Sequence, residues 1–138
     1  MLTAEDLRPI PIFASIPTEA LHDVARSAAD MRLMDGEYAY NEGDEAGFFV
    51  VISGRLEVIK IIDGHERKLG ERAPGQPLGE VPLTFATRFP SAGRAIEQSR
   101  VLHLTARAFH DLAKAQPEFG AAVRALAQDR IGGLQGIA

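Results

Sequence analysis

Apolar residues keep helical spacing at both ends of this chain and strand-like spacing through its middle. Thr3 with Asp6 forms a capped start ahead of Leu7, and Pro9 and Pro11 break the turn that follows. Ala20, Leu21, Val24, Ala25 and Ala28 then share one helix face, with Pro17 near the first turn. From about Arg32 to Leu104 the pattern is that of strands punctuated by glycine. Phe48-Phe49-Val50-Val51-Ile52 is a continuous apolar strand, turned at Ser53-Gly54. Arg55 to Ile61 returns with alternation, and Asp63-Gly64 signals a hairpin into Glu66–Arg72. Thr105 caps a further helix carrying Ala108, Phe109, Leu112 and Ala113. Pro117 starts another, with Phe119, Val123, Leu126 and Ala127 on one face. Gly132, Gly133 and Gly136 are expected to end it, so 132–138 reads as the start of a linker.

This order predicts one domain over 1–138 of the α+β, mostly β class. The expected architecture is an antiparallel, jelly-roll-like β-roll over about 32–104. Helices over about 3–31 and about 105–131 flank it.

Composition narrows the chemistry. The chain has 138 residues and no Cys, which excludes disulfides, thiolate metal sites and thiol catalysis within it. His22, His65, His103 and His110 are scattered, with no metal-ligand spacing. Glu42, Asp44 and Glu45 make an acidic turn without the calcium-loop pattern. A net charge of -4 opposes a large phosphate-facing surface, so nucleic acid is not an expected direct partner. No long apolar run is present, so neither a membrane span nor a signal peptide is expected, and the expected address is cytoplasmic. No nucleophile elbow, Walker loop or Rossmann fingerprint appears. Neither catalysis nor a cofactor is expected in this segment.

The stretch from Leu78 to Ala95 carries the candidate site. A glycine at Gly79 lets backbone approach a ligand, and the carboxylate of Glu80 can accept hydrogen bonds from hydroxyl groups. Leu78-Gly79-Glu80, the preceding Leu69-Gly70 and Pro74-Gly75, and the strand Ser99–Leu104 resemble the approach, phosphate-binding cassette and exit of cyclic-nucleotide-binding domains. Asp35-Gly36-Glu37, Asn41–Glu45 and Phe48–Val58 are similar to that family's first hairpins. The resemblance covers roughly Leu7 to Arg130 and implies the same β-roll. It implies ligand contacts from Gly79, Glu80, Val81, Arg88, Ser91 and Ala92, and a cyclic nucleotide or another small anion as ligand.

The cassette departs from the family where phosphate is held. The family's arginine position falls on Phe89, and the neighbouring N–H position on Pro90. Pro82 removes a further donor within the short helix. Losing a charge-assisted bond and an amide weakens binding by about 2–4 kcal/mol, on the order of 30- to 700-fold. Arg88 or Arg94 would have to compensate. Phe85 and Phe89 read as core or pocket wall. Restoring arginine by Phe89→Arg, with Pro82→Ala, is expected to strengthen cyclic-nucleotide binding by about one to three decades.

In this family ligand capture repositions the C-terminal helices and an attached effector, so the resemblance implies a regulatory sensor domain. The Phe89-Pro90 pair and the ending Ile131–Ala138 resemble the regulatory segment that precedes thioredoxin-reductase-like flavoproteins. Two other readings stay open: a ligand-free interaction or oligomerisation module, and the sensor half of a transcription regulator. The short last helix leaves room for a weak homodimer rather than a long coiled coil.

Overall fold

The computed structural model describes the backbone of residues 1–137 and side chains as far as Gly132; of the expected linker, Ala138 lies outside the described residues. Three short helical pieces open the chain. These are α1 (Ala4–Leu7), a 3-10 turn (Pro11–Phe13) and α2 (Thr18–Ser27). Thr3 and Asp6 close a reciprocal capping box on α1, as their spacing predicts. The guanidinium of Arg8 donates to the carbonyls of Phe13 (2.7 Å) and Ile16 (2.9 Å), which ties the proline-broken turns together.

Eight strands follow in two four-stranded sheets, and every pairing is antiparallel. β1 (Ala29–Leu33), β3 (Gly47–Ser53), β6 (Pro77–Leu78) and β8 (Ser99–Thr105) form one sheet in the order β1-β8-β3-β6. β2 (Tyr38–Tyr40), β4 (Leu56–Ile62), β5 (His65–Arg72) and β7 (Ala92–Ala95) form the other, in the order β2-β7-β4-β5. The helix α3 (Glu80–Phe85) interrupts the strands, and α4 (Ala106–Ala115) and α5 (Pro117–Ile137) follow them. This is the expected β-roll with flanking helices. Its boundaries differ: α2 stops at Ser27 and the first strand begins at Ala29, three residues ahead of the expected Arg32.

The continuous apolar run of β3 is explained by burial on both faces. Phe48 and Val50 face the helices, in a cluster with Phe13, Phe109 and Phe119. Phe49 and Val51 face the other sheet, with Leu56, Leu78 and Val101. Phe48 lies edge-on to Phe119 at 5.8 Å between centroids, and the helical end of the chain closes on this aromatic cluster. β8 divides in the same way, with Leu102 and Leu104 toward the helices and Val101 toward the roll interior.

The glycines at 132, 133 and 136 do not stop α5, which runs Pro117–Ile137. Glycine costs about 1 kcal/mol in a helix interior but does not forbid helical φ and ψ, so the expected break at 132 is corrected. No helix among the described residues is long and apolar enough to cross a membrane.

The first sheet also holds an ion pair whose effect on stability depends on pH. Arg100 donates from Nε to Asp30 Oδ1 and from Nη2 to Oδ2, both at 2.9 Å, across the β1–β8 pairing. These bonds, with help from the N-terminal amine, hold the Asp30 carboxyl well below the usual carboxylate range. A folded-state value below the unfolded one means stability that is present above about pH 4 and lost as pH falls. Asp30→Asn is therefore expected to cost about 1.5–3 kcal/mol at pH 7, the worth of bonds to a charged group. The deficit should shrink at pH 3. Urea unfolding of both proteins at the two pH values checks this, and an equal deficit at both would refute it.

Candidate functional site

Between the sheets and the last helix lies a cavity of about 570 Å³, the size of a small-molecule site. Its floor is the turn from β6 into α3. Gly79 caps α3 at φ +94°, and a Cβ there would sit 1.9 Å from the carbonyl oxygen of Gly47. Only glycine fits, so the sequence delivers Glu80 into the interior at the first position of the helix. Glu80 is 3% exposed. Burial pushes its carboxyl up, and its own backbone N–H and the positive charge of Arg72 oppose that shift.

Gly79, Glu80, Val81 and Ser91 all line the cavity, as expected from the sequence. Two expected contacts do not. Arg88 is exposed, and its Nη1 donates to the Gly43 carbonyl at 3.2 Å. Backbone bonds from Phe89 N–H to Asp44 O (3.0 Å) and from Gly43 N–H to Phe89 O (2.9 Å) strap this segment to the acidic turn. With Phe89 turned inward, its neighbour Arg88 is left outside. Ala92 pairs with Ile59 and Arg94 with Glu57, so strand alternation sets both on the face away from the cavity. Arg94 is spent there: its Nε donates to Glu57 Oε1 at 2.8 Å and its Nη2 to Glu66 Oε2 at 2.9 Å. Neither arginine replaces the missing one.

Phe89 is a wall of the cavity, as expected. Its ring stacks on Tyr40 at 3.8 Å between centroids and meets Phe49 at 5.9 Å. Phe85 is not: it is 44% exposed at the last turn of α3, where Ala86 takes a left-handed conformation and turns the chain away.

Two arginines in the cavity went unforeseen. Arg72, at the end of β5, and Arg130, on α5, both line it, with Lys60 and Tyr40. Arg130 Nε lies 3.1 Å from Glu80 Oε1 and joins the last helix to the cassette helix. Glu80 Oε2, Arg130 Nη1 and Arg72 Nε are buried with no hydrogen-bond partner among the described residues. The Arg130 position carried a signal, since it continues the spacing of Phe119, Val123 and Ala127 on the inner face of α5. Arg72 carried a weaker one. β4 pairs Val58 with Gly70 and then Ile59 with Lys68, so Leu69 is a bulged extra residue. Counting by twos from the hairpin therefore misassigns the faces beyond it. Pairing opposite Leu56 is what turns Arg72 inward.

Chemically the arrangement is suited to binding. It offers one buried carboxylate oxygen as acceptor, two buried guanidinium nitrogens as donors, and an aromatic and aliphatic wall. Comparison with known proteins agrees with the architecture. The chain matches the cyclic nucleotide-binding domain model over residues 30–116. It is 29% identical over 102 residues to lysophospholipase NTE1 of Candida albicans, covering 70% of this chain and 7% of that protein. The chain thus spans a small fraction of the curated relatives it matches. Among solved structures it is similar to the sensor domain of the transcriptional regulator DNR from Pseudomonas aeruginosa. That likeness has TM-score 0.80 and 18% identity, covering 96% of this chain and 90% of the other. It is also similar to a regulatory subunit of a cAMP-independent protein kinase A from Trypanosoma cruzi bound to guanosine. There the TM-score is 0.79 and identity 20%, covering 98% of this chain and 50% of the other. The fold, the cassette turn at Gly79-Glu80 and the model match over most of the β-roll lead to one conclusion: the chain belongs to the cyclic nucleotide-binding domain family.

Proposed function

We propose that this chain is a ligand-sensing regulatory domain that controls a covalently attached effector and has no catalysis of its own. The Glu80–Arg130 pair carries the reading. It links α3 to α5 across the cavity and leaves one unpartnered polar atom on each side chain. A ligand that engages Glu80 Oε2 and Arg130 Nη1 acts on both helices at once, so bound and free states differ in how α5 is held. A ligand-free interaction module would be favoured by a plugged pocket. Here Phe89 lies in the wall, and about 570 Å³ remains beside it.

The ligand we propose is not a tightly bound cyclic nucleotide. Phe89 holds the place of the phosphate arginine, and Pro82 and Pro90 supply no N–H. Cyclic AMP and cyclic GMP are expected to bind about 30- to 700-fold more weakly than at a cassette with its full donor set. Calorimetric titration checks this, and a micromolar dissociation constant for either would refute it. The guanosine-bound kinase subunit makes neutral nucleosides the first alternative probes. A melting-temperature scan across nucleosides and small anions tests the sensor reading itself, because a ligand selective for the folded state must stabilise it. Stabilisation by one class supports the reading; none by any class favours the module.

The specific effector we propose is a thioredoxin-reductase-like flavoprotein, on the sequence resemblance of Phe89-Pro90 and Ile131–Ala138. A transcription regulator is the second reading, supported by the similar sensor domain of a regulator. In either case the chemistry belongs to the effector.

A further inference from the structure

We propose that the cavity holds a terminal carboxylate or phosphate of its ligand between Arg72 of β5 and Arg130 of α5, with the rest of the ligand being an apolar or aromatic body. This rests on the sensor reading above and names a ligand class for it. The anchor lies on β5 and the last helix, away from the cassette positions at 89 and 90.

The chain carries a net charge of -4, yet its cavity is lined by Lys60, Arg72 and Arg130 against the single carboxylate of Glu80. Arg130 is matched by Glu80 at 3.1 Å. Lys60 is matched by Glu42 at 3.6 Å and donates to the Pro90 carbonyl at 2.5 Å. Arg72 has no such match: among the described residues no carboxylate pairs with it. Its Nη1 donates to the Glu71 carbonyl at 2.9 Å, and its Nε is buried with no partner. A half-buried cation with an unsatisfied donor carries a desolvation cost that an anion in the cavity would offset.

Geometry adds a second donor to the first. Arg72 borders the same cavity as Glu80 and Tyr40. Arg130 contacts Glu80 at 3.1 Å and has its own buried, unpartnered Nη1. Two guanidinium donors bordering one cavity suit the oxygens of a planar carboxylate or a phosphate monoester. The rest of the lining is largely apolar, from Val58, Leu69, Leu78, Val81, Pro82 and Phe89. A ligand that complements both halves is amphipathic, with one charged end.

Three probes with one body test the charge preference: 1-naphthaleneacetate, 1-naphthyl phosphate and neutral 1-naphthaleneethanol. Each is titrated calorimetrically into the wild-type protein, Arg72→Met and Arg72→Lys. At least one anionic probe is expected to bind ten times or more tighter than the neutral one. Which anion wins separates a carboxylate ligand from a phosphate ligand. Arg72→Met should abolish most of that preference, and Arg72→Lys should restore part of it. A neutral probe that binds as tightly as the anions overturns the anchor and leaves the sensor reading standing. So does an anion preference that survives Arg72→Met. If no probe binds and nucleosides also fail, both are overturned. An Arg72→Met protein that does not fold is replaced by the lysine comparison, where a reduced anion-over-neutral preference supports the anchor and an unchanged preference overturns it.

Discussion

Gly79→Ala is expected to destabilise the folded domain by about 2–6 kcal/mol, the sum of a left-handed backbone penalty of about 1–3 and an overpacking cost of about 1–3. Gly79 sits at φ +94°, where an L side chain is strained. Its added Cβ would lie 1.9 Å from the Gly47 carbonyl oxygen and 3.3 Å from the Phe89 ring. The first contact is with β3 backbone, which cannot rotate away as a side chain could. Relief requires α3 to move, and α3 carries Glu80, so the Glu80–Arg130 contact should weaken together with stability. Urea unfolding of Gly79→Ala measures the first effect, and hydrogen exchange of α5 amides the second. An unfolding midpoint matching wild type would show that the turn relaxes at no cost, contrary to the geometry.

Most of the fold was legible in the sequence because local signals agreed with the tertiary arrangement. Asp63 and Gly64 both take positive φ, as a tight hairpin turn between β4 and β5 requires. Thr3 and Thr105 cap the helices their spacing marks. The errors fall where local rules lose to neighbours. Glycines near the chain end lower helix propensity without forbidding the helix, so α5 passes through Gly132. Four of the six expected contact residues line the cavity. Gly79, Glu80, Val81 and Ser91 follow from the cassette turn, which is set by local sequence. Arg88 and Ala92 do not reach the cavity, because their direction depends on which neighbour is buried and on strand pairing. Arg72 was hidden by the bulge at Leu69. Arg130 was hidden because its partner Glu80 is 50 positions away in the chain, although its place on the helix stripe could be counted.

Phe89→Arg, the repair that the cassette comparison invites, is expected to leave the protein less stable than wild type even with cyclic AMP bound. Phe89 is buried, stacked on Tyr40 at 3.8 Å and packed near Phe49, and its ring touches the position where Gly79 turns. Losing a buried phenylalanine costs about 3–5 kcal/mol, and Phe89→Ala should show that full loss. An arginine recovers little of it, because a guanidinium turned toward the cavity leaves the aromatic stack and meets a Glu80 already paired with Arg130. A bound cyclic phosphate would return about 1.5–3 kcal/mol through one charge-assisted bond, less than the typical packing loss. Pro82→Ala adds one amide donor, worth about 0.5–1.5 kcal/mol, at a residue that is itself buried. Phe89 is therefore a structural commitment of this cassette: the pocket is built around a ring, and its positive charge enters from β5 and α5 instead. Denaturant midpoints of wild type, Phe89→Ala and Phe89→Arg, each with and without saturating cyclic AMP, decide the matter. The expected order places wild type first under both conditions, with the arginine variant gaining more from ligand than the alanine variant. An arginine variant that equals wild type without ligand would show that the ring contributes no packing stability and that the cassette tolerates the family's residue.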